Sequence, residues 1–270
     1  MVGRQAGGPG GRRAGRPGTP LLNRGIIADA ALGILTGGGV GALTMKSLAG
    51  SLGVSVSSLY NHIANKAELM TTVQDAVMSR VDADAFTVLI SGVGGPADPA
   101  DPADPADRAD RADTAARLAA ALRSWSRSYR QAFADYPSLV PLIATMPVTG
   151  APATRRMYDT VAAGLLAAGV PSAQVIPVIV AFESFLFGSA MDVHAPASIF
   201  GSRPGEQDAP AFRQVVDAFT VEVDGTGGGG DAGQGGGRAR GNGLPNPYAD
   251  QPFEWGLDAL VAGTLALLPG

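Results

Sequence analysis

Apolar residues recur along this chain at intervals of three and four and nowhere alternate as a half-buried strand requires, and that spacing constrains the fold more than any other feature. An α-helix turns once in about 3.6 residues, so Ile27, Ala30, Ala31, Ile34 and Leu35 fall on one helical face. Leu48 with Leu52, Leu59 with Ile63, and Leu69, Val73, Val77 and Val81 repeat the interval. Leu118, Leu122, Trp125, Tyr129 and Phe133 extend it into one long stripe. The expected fold is all-α.

Local signals divide the pattern. A first helix starts after Leu22 and runs about four turns into the Gly-rich stretch TGGGVGA. Thr44 stands as N-cap ahead of MKSLAGSL, Gly53 and Val54 break that helix, and Ser55 caps the next. Asn65-Lys66-Ala67-Glu68 has capping-box spacing, with Glu68 placed to reach back to the cap amide, and opens a longer helix. From Pro96 to Asp113 the chain reads as six x-Ala-Asp triplets. Proline at every third position forbids a helix up to about Pro105, which predicts an extended acidic spacer. Helix resumes from about Asp110 to Ala134 and stops at Tyr136-Pro137. Further helices are expected at 138–145, 153–168, 171–192, 212–223 and 253–268. The organisation this implies is a basic disordered arm over 1–20, a three-helix domain over 21–68 and a connecting helix over 69–90. A Pro-Ala-Asp linker over 91–109 and a larger helical domain over 110–270 follow, the latter with a flexible Gly-rich insertion at 225–243.

Composition excludes several function classes. There is no cysteine, and the histidines are only two, His62 and His194, so disulfides and thiolate or histidine metal sites are not expected. No cofactor is expected, and no Ser/His/acid set appears; the glycines at 227–230 lack the Lys-Ser/Thr that a phosphate loop needs. The chain does not read as an enzyme. The longest apolar run, Val175 to Ala190, is broken by Pro177, Glu183 and Gly188 and falls short of the roughly 20 residues of a bilayer span. It reads as a core helix, with no membrane partner. The N-terminal residues carry no apolar signal segment, so a cytoplasmic location is expected. An overall pI near 5.1 hides an asymmetry: residues 1–80 hold eight Arg/Lys against three acids, giving +5, and the remainder twelve against twenty-one, giving −9. The basic end is the candidate surface for a polyanion.

Residues 44–62 have helix-turn-helix spacing, a short helix, a turn at Gly53 and a second helix with one apolar edge. Ser57, Ser58, Tyr60 and Asn61 offer hydrogen-bonding groups away from Leu59 and Ile63, as a helix entering the major groove requires. Leu22 to Leu69 resembles the N-terminal domain of the TetR (tetracycline repressor) family of bacterial regulators. The resemblance is carried by Leu-Thr-x-x-x-Leu-Ala-x-x-Leu-Gly-Val at 43–54 and Leu-Tyr-x-His-x-x-x-Lys-x-x-Leu at 59–69. It implies that Thr44 and Lys46 meet a phosphate or a flanking base of double-stranded DNA, and that Ser55, Val56, Ser57, Ser58 and Asn61 face the major groove. Tyr60 and His62 would hold backbone phosphates and Lys66 would clamp another, while Asn65 reads as a cap rather than a base reader. Two departures stand out. The reading face has no Arg or Gln for bidentate purine contacts, and Ala64 stands where relatives often carry a basic residue. Arg12, Arg13, Arg16 and Arg24 on a Gly-Arg-Pro arm are the expected compensation, through the minor groove.

The second half resembles the tetracycline-repressor subclass at Trp125-Ser-Arg-Ser-Tyr-Arg-Gln-Ala and at Phe253-Glu-Trp-Gly-Leu-Asp-Ala-Leu-Val-Ala-Gly. That resemblance implies a homodimer in which helices near 172–192 and 253–268 pair with their symmetry mates, and hence a palindromic operator. Val178, Ala181, Phe185, Trp255, Leu257, Leu260 and Leu265 are the apolar residues that would need covering. An effector site is expected between the helices of 115–168 and the dimer helix. Its candidate lining is Trp125, Tyr129, Phe133, Leu142, Met146, Met157, Tyr158, Phe182 and Phe185. No histidine lies in Leu139 to Met146, so the metal-ligating imidazole of the tetracycline repressor has no counterpart, and a small apolar or amphipathic effector is expected instead. The implied function is a repressor released from DNA by that effector, through the helix from Lys66 to Val81. An activator, a regulator without induction, and a helical carrier or enzyme are the alternatives.

Overall fold

The computed structural model describes residues 22–91, 105–196, 198–201, 209–226, 246 and 248–269, and every regular element among them is helical. The arm at 1–20, most of the Pro-Ala-Asp linker and most of the Gly-rich insertion lie outside the described residues.

Three helices form the head: α1 (Arg24–Ala42), α2 (Met45–Leu52) and α3 (Val56–Tyr60). Asn23 caps α1, its side chain accepting from the Ile26 amide at 3.0 Å. The helix bends at Gly39, where φ is 69°, a conformation only glycine adopts freely. Ile27, Leu35, Leu43, Leu48, Leu59 and Ile63 are buried together, so the spaced apolar positions meet as the sequence pattern requires.

The long helix α4 (Lys66–Met78) packs one face on α1 and continues into the second half of the molecule. It ends at Met78, short of the expected connecting helix to residue 90. Apolar spacing continues through Val81, which is buried, but the backbone there is drawn off by tertiary bonds. Ser128 Oγ accepts from the Asp82 amide at 2.7 Å and donates to the Arg80 carbonyl at 3.4 Å, and locally Asp82 Oδ1 accepts from the Asp84 amide at 2.8 Å. A 3₁₀ turn at Asp84–Phe86 and α5 (Thr87–Ser91) follow.

The central strut is α6 (Pro105–Ala134), five residues longer at its start than the triplet pattern suggested. Proline is tolerated as the first helical residue because that amide has no intrahelical partner, and Asp107 complements the positive helix start. The expected helix at 138–145 divides into a 3₁₀ turn, Pro137–Leu139, and a single turn α7 (Val140–Ile143). Then come α8 (Pro152–Ala167), α9 (Ser172–Asp192), α10 (Pro210–Thr226) and α11 (Asp250–Leu265). By length and composition α9 could cross a bilayer, as could α1, contrary to the shorter run read from sequence. In the fold α9 packs instead against α6, α8 and α11.

Aromatic packing fixes α6 in place. Trp125 is fully buried and meets Phe86, Tyr129 and Phe182 at ring-centroid distances of 6.3, 5.7 and 5.8 Å. On its other side, α6 is clipped to α11 by Arg123–Asp258 at 2.9 Å, Arg127–Glu254 at 2.7 Å and Arg130–Asp250 at 2.8 Å. The Arg130 guanidinium also lies 4.4 Å from the Phe253 ring centroid.

Candidate nucleic-acid interface and candidate effector site

The α2–α3 corner is built by caps. Thr44 and Ser47 exchange a capping box, with Thr44 Oγ1 accepting from the Ser47 amide at 3.0 Å and Ser47 Oγ from the Thr44 amide at 2.9 Å. Gly53 closes α2 at φ 65°, and the Val54 amide donates back to Ala49 at 3.0 Å. Ser55 Oγ accepts from the Ser58 amide at 3.0 Å and lies 2.9 Å from Ser58 Oγ. Asn65 Oδ1 accepts from the Glu68 amide at 2.9 Å. Glu68 reaches one residue beyond the expected cap amide, its Oε2 accepting from the Ala64 amide at 2.7 Å, which is the first cause holding its carboxyl below the ordinary value.

These bonds sort the candidate DNA residues. Lys46, Ser57, Tyr60, Asn61, His62 and Lys66 are exposed around one corner, Tyr60 at 49%. Thr44 is also exposed, but its hydroxyl and those of Ser55 and Ser58 are already engaged in caps. Val56 is half-buried against the core. Arg24 is not part of a free arm: it pairs with Glu68, and Arg12, Arg13 and Arg16 lie outside the described residues.

The head is tied to the second half through α4. Asp75 Oδ1 accepts from the Thr154 amide at 2.8 Å and from the Thr154 hydroxyl at 3.1 Å, so a residue of α4 caps the start of α8. Beside this latch, Arg24, Gly25, Ala28, Asp29, Thr72, Arg80 and Gly150 border a cleft of about 320 Å³. Arg80 donates to the Tyr136 hydroxyl at 2.7 Å.

Among the candidate effector residues, Trp125, Tyr129, Phe133 and Phe182 form one buried aromatic cluster, joined by Phe187, which sequence reasoning omitted. Met157 is buried, and Leu142 and Met146 pack half-buried on the core. Phe185 points elsewhere, stacked on Phe253 at 5.7 Å and against Gly256. Sequence reasoning also missed Glu183, noticed only as an interruption of an apolar run. Its Oε1 accepts from the Tyr129 hydroxyl at 2.9 Å and from the Tyr158 hydroxyl. Burial pushes the Glu183 carboxyl up, and burial beside that carboxylate pushes both phenols well above their ordinary value. The Trp125 indole N–H is buried without an acceptor among the described residues.

The apolar surface expected for pairing is distributed differently from the expectation. Val178 and Leu257 are buried within the subunit, and Phe185, Leu260 and Leu265 are half-buried. Ala181 and Trp255 do face outward, Trp255 at 78%, and with them Ile176 at 64%, Val180 at 51% and Met191.

Comparison with known proteins agrees with this architecture. Residues 27–73 match the family described as bacterial regulatory proteins, tetR family, and residues 112–220 match the tetracyclin repressor-like C-terminal domain. A curated HTH-type transcriptional regulator of Saccharopolyspora erythraea is 29% identical over 170 residues, 63% of this chain; the match spans 60% of that relative. The fold is similar to that of ActR from Streptomyces coelicolor in complex with (S)-DNPA, with 23% identity, a TM-score of 0.57 and coverage of 91% of this chain and 98% of that one. It is also similar to TetR from Acinetobacter baumannii, at 20% identity and a TM-score of 0.53, covering 92% and 100% of the two chains. The chain belongs to the TetR family of bacterial regulatory proteins, its N-terminal helix-turn-helix domain matching that family and its helical second domain being tetracycline-repressor-like.

Proposed function

We propose that the protein is a repressor that binds a palindromic operator as a homodimer in the cytoplasm and leaves it when a small molecule occupies the second domain. The observation that carries this reading is the corner around α3. Lys46, Ser57, Asn61, His62 and Lys66 stand exposed there while Leu59 and Ile63 anchor the helix beneath them. Phosphate contacts from Lys46, Tyr60, His62 and Lys66 set the register, and Ser57 and Asn61 read base edges. With small residues on the reading face, much of the affinity comes from charge and from doubling the site. The outward Ile176, Val180, Met191 and Trp255 on α9 and α11 supply the apolar surface for that doubling.

Release follows if the effector prefers a different spacing of the two reading helices, since a ligand shifts such an equilibrium only by its differential affinity for the two states. The Asp75–Thr154 latch joins α4 to α8 and is the route for that change. The small molecule bound by ActR, a protein of the same fold, supports an effector of some kind here. The test is selection of binding sites from random duplex, followed by gel shift against salt. A two-fold symmetric site whose affinity falls steeply with salt is expected. Absence of DNA binding would defeat the proposal, and an asymmetric site would defeat its dimeric form.

A further inference from the structure

We propose that Tyr129, Glu183 and Tyr158 form the polar anchor of the effector site, and that the effector they take is an amphipathic organic cation, a protonated amine on a flat apolar body. The inference rests on the reading of the second domain as an effector domain and adds the chemical class. Three helices converge on the anchor: Tyr129 comes from α6, Tyr158 from α8 and Glu183 from α9. Both phenols donate to the same carboxylate oxygen, Oε1. An ionised carboxylate offers about four acceptor sites, and Oε2 receives no hydrogen bond from the described residues. The remaining capacity of the cluster is therefore to accept.

None of the ion pairs seen among the described residues includes Glu183. A half-buried carboxylate without an ion-pair partner among the described residues is costly, and a ligand cation offsets that cost where a neutral ligand does not. The rings around it suit the same partner. Tyr129 stacks on Phe133 at 5.0 Å and meets Phe187 edge-on at 5.6 Å, with Trp125 at 5.7 Å. Aromatic rings attract an organic ammonium through their quadrupoles, so this cluster favours a cation over an anion beside the carboxylate. The unpaired Trp125 indole N–H adds one donor for an acceptor elsewhere on the ligand. A divalent metal is the poorer fit, because no group of three His, Cys, Asp or Glu gathers among the described residues.

The experiment is calorimetric titration of the full-length protein with three probes of one shape: naphthylethylamine, naphthylethanol and naphthylacetate. The ammonium should bind about tenfold more tightly than the alcohol, and the acetate most weakly. Glu183→Gln, which keeps the shape and removes the charge, should abolish the preference for ammonium and leave the alcohol unchanged. Tyr158→Phe should retain the preference, because the carboxylate remains. Equal binding of amine and alcohol, a preference that survives Glu183→Gln, or binding of none of the three would overturn the proposal. Gel shift of the same protein without any probe separates this failure from the other: DNA binding with no amine preference defeats the cation site alone, whereas loss of DNA binding defeats the regulator reading.

Discussion

Asp75→Ala tests the idea that the two halves are joined by one borrowed cap. The start of α8 has no cap of its own: Ala151 precedes it and offers no side-chain bond, and Pro152 supplies no amide hydrogen. Asp75 on α4 fills that role from a distance of 79 residues, accepting from both the amide and the hydroxyl of Thr154. Thr154 is 1% exposed, and Asp75 itself borders the cleft, so water reaches the freed donors only through the space the carboxylate leaves. Loss of an N-cap costs about 1 kcal/mol, and a buried donor left unpaired costs about 1–3 kcal/mol. The two terms overlap, because the amide is common to both, and water entering from the cleft offsets part of the second, so together they give about 1–3 kcal/mol. For a chain of this size that corresponds to a fall in Tm of about 2–12 °C. Asp75→Asn keeps an acceptor at the same place and should lose about 1 kcal/mol or less. A double-mutant cycle with Thr154→Ala, read by urea unfolding, should give a coupling of about 1 kcal/mol. If Asp75→Ala changes stability by under about 0.5 kcal/mol, the level of an ordinary surface substitution, the cap argument is wrong.

Four further outcomes follow from the same geometry. Because the folded-state pKa of Glu183 is raised by burial, the folded protein keeps a proton that the unfolded chain releases first, so this group's contribution to stability falls as pH rises from the ordinary carboxyl value through the folded one; Glu183→Gln should flatten that part of a Tm-against-pH profile. Gly164→Ala puts a methyl carbon 2.5 Å from Phe86 Cδ1, a fully buried ring, and should cost about 1–3 kcal/mol in urea unfolding. Lys46→Ala should weaken binding alike on all DNA sequences and reduce the slope of log affinity against log salt by about 1 in gel-shift titration. Trp255→Glu alters a side chain that is 78% exposed in the single subunit, so it should leave the melting profile of the subunit intact while shifting the proposed dimer to monomer in sedimentation.

What was legible in the sequence was mostly local. Thr44, Ser55 and Asn65 could be read as caps because each bonds a group three residues away, and the Gly53 turn follows from the same short reach. The reading corner is assembled from such pieces. The features that escaped join distant segments. Glu183 meets Tyr129 across 54 residues, and nothing in its neighbours on α9 marks it as more than a polar interruption. Val81 keeps the helical spacing although α4 has ended, because a buried apolar residue serves a turn as well as a helix and the deciding bond comes from Ser128. The outward face of α9 was misassigned for a related reason: an apolar helix packed on one side and uncovered on the other carries no polar stripe to show which is which.

The arginine clips between α6 and α11 work as a vernier. The cations stand at 123, 127 and 130, and the acids run the opposite way at 258, 254 and 250, so every pair is matched in a single antiparallel alignment. Sliding α11 by one turn would set Arg127 opposite Asp258 and Arg130 opposite Glu254, stranding Arg123 and Asp250 and pulling Phe253 from beneath Arg130. Each exposed pair contributes only about 0.2–1 kcal/mol, yet a slip sacrifices several at once. The last helix thus carries its own alignment marks between 249 and 258, the Ala249 carbonyl adding one more as acceptor for Arg130 at 3.0 Å. A tag or a protease site introduced at 227–245 is therefore expected to leave the seating of α11 unchanged.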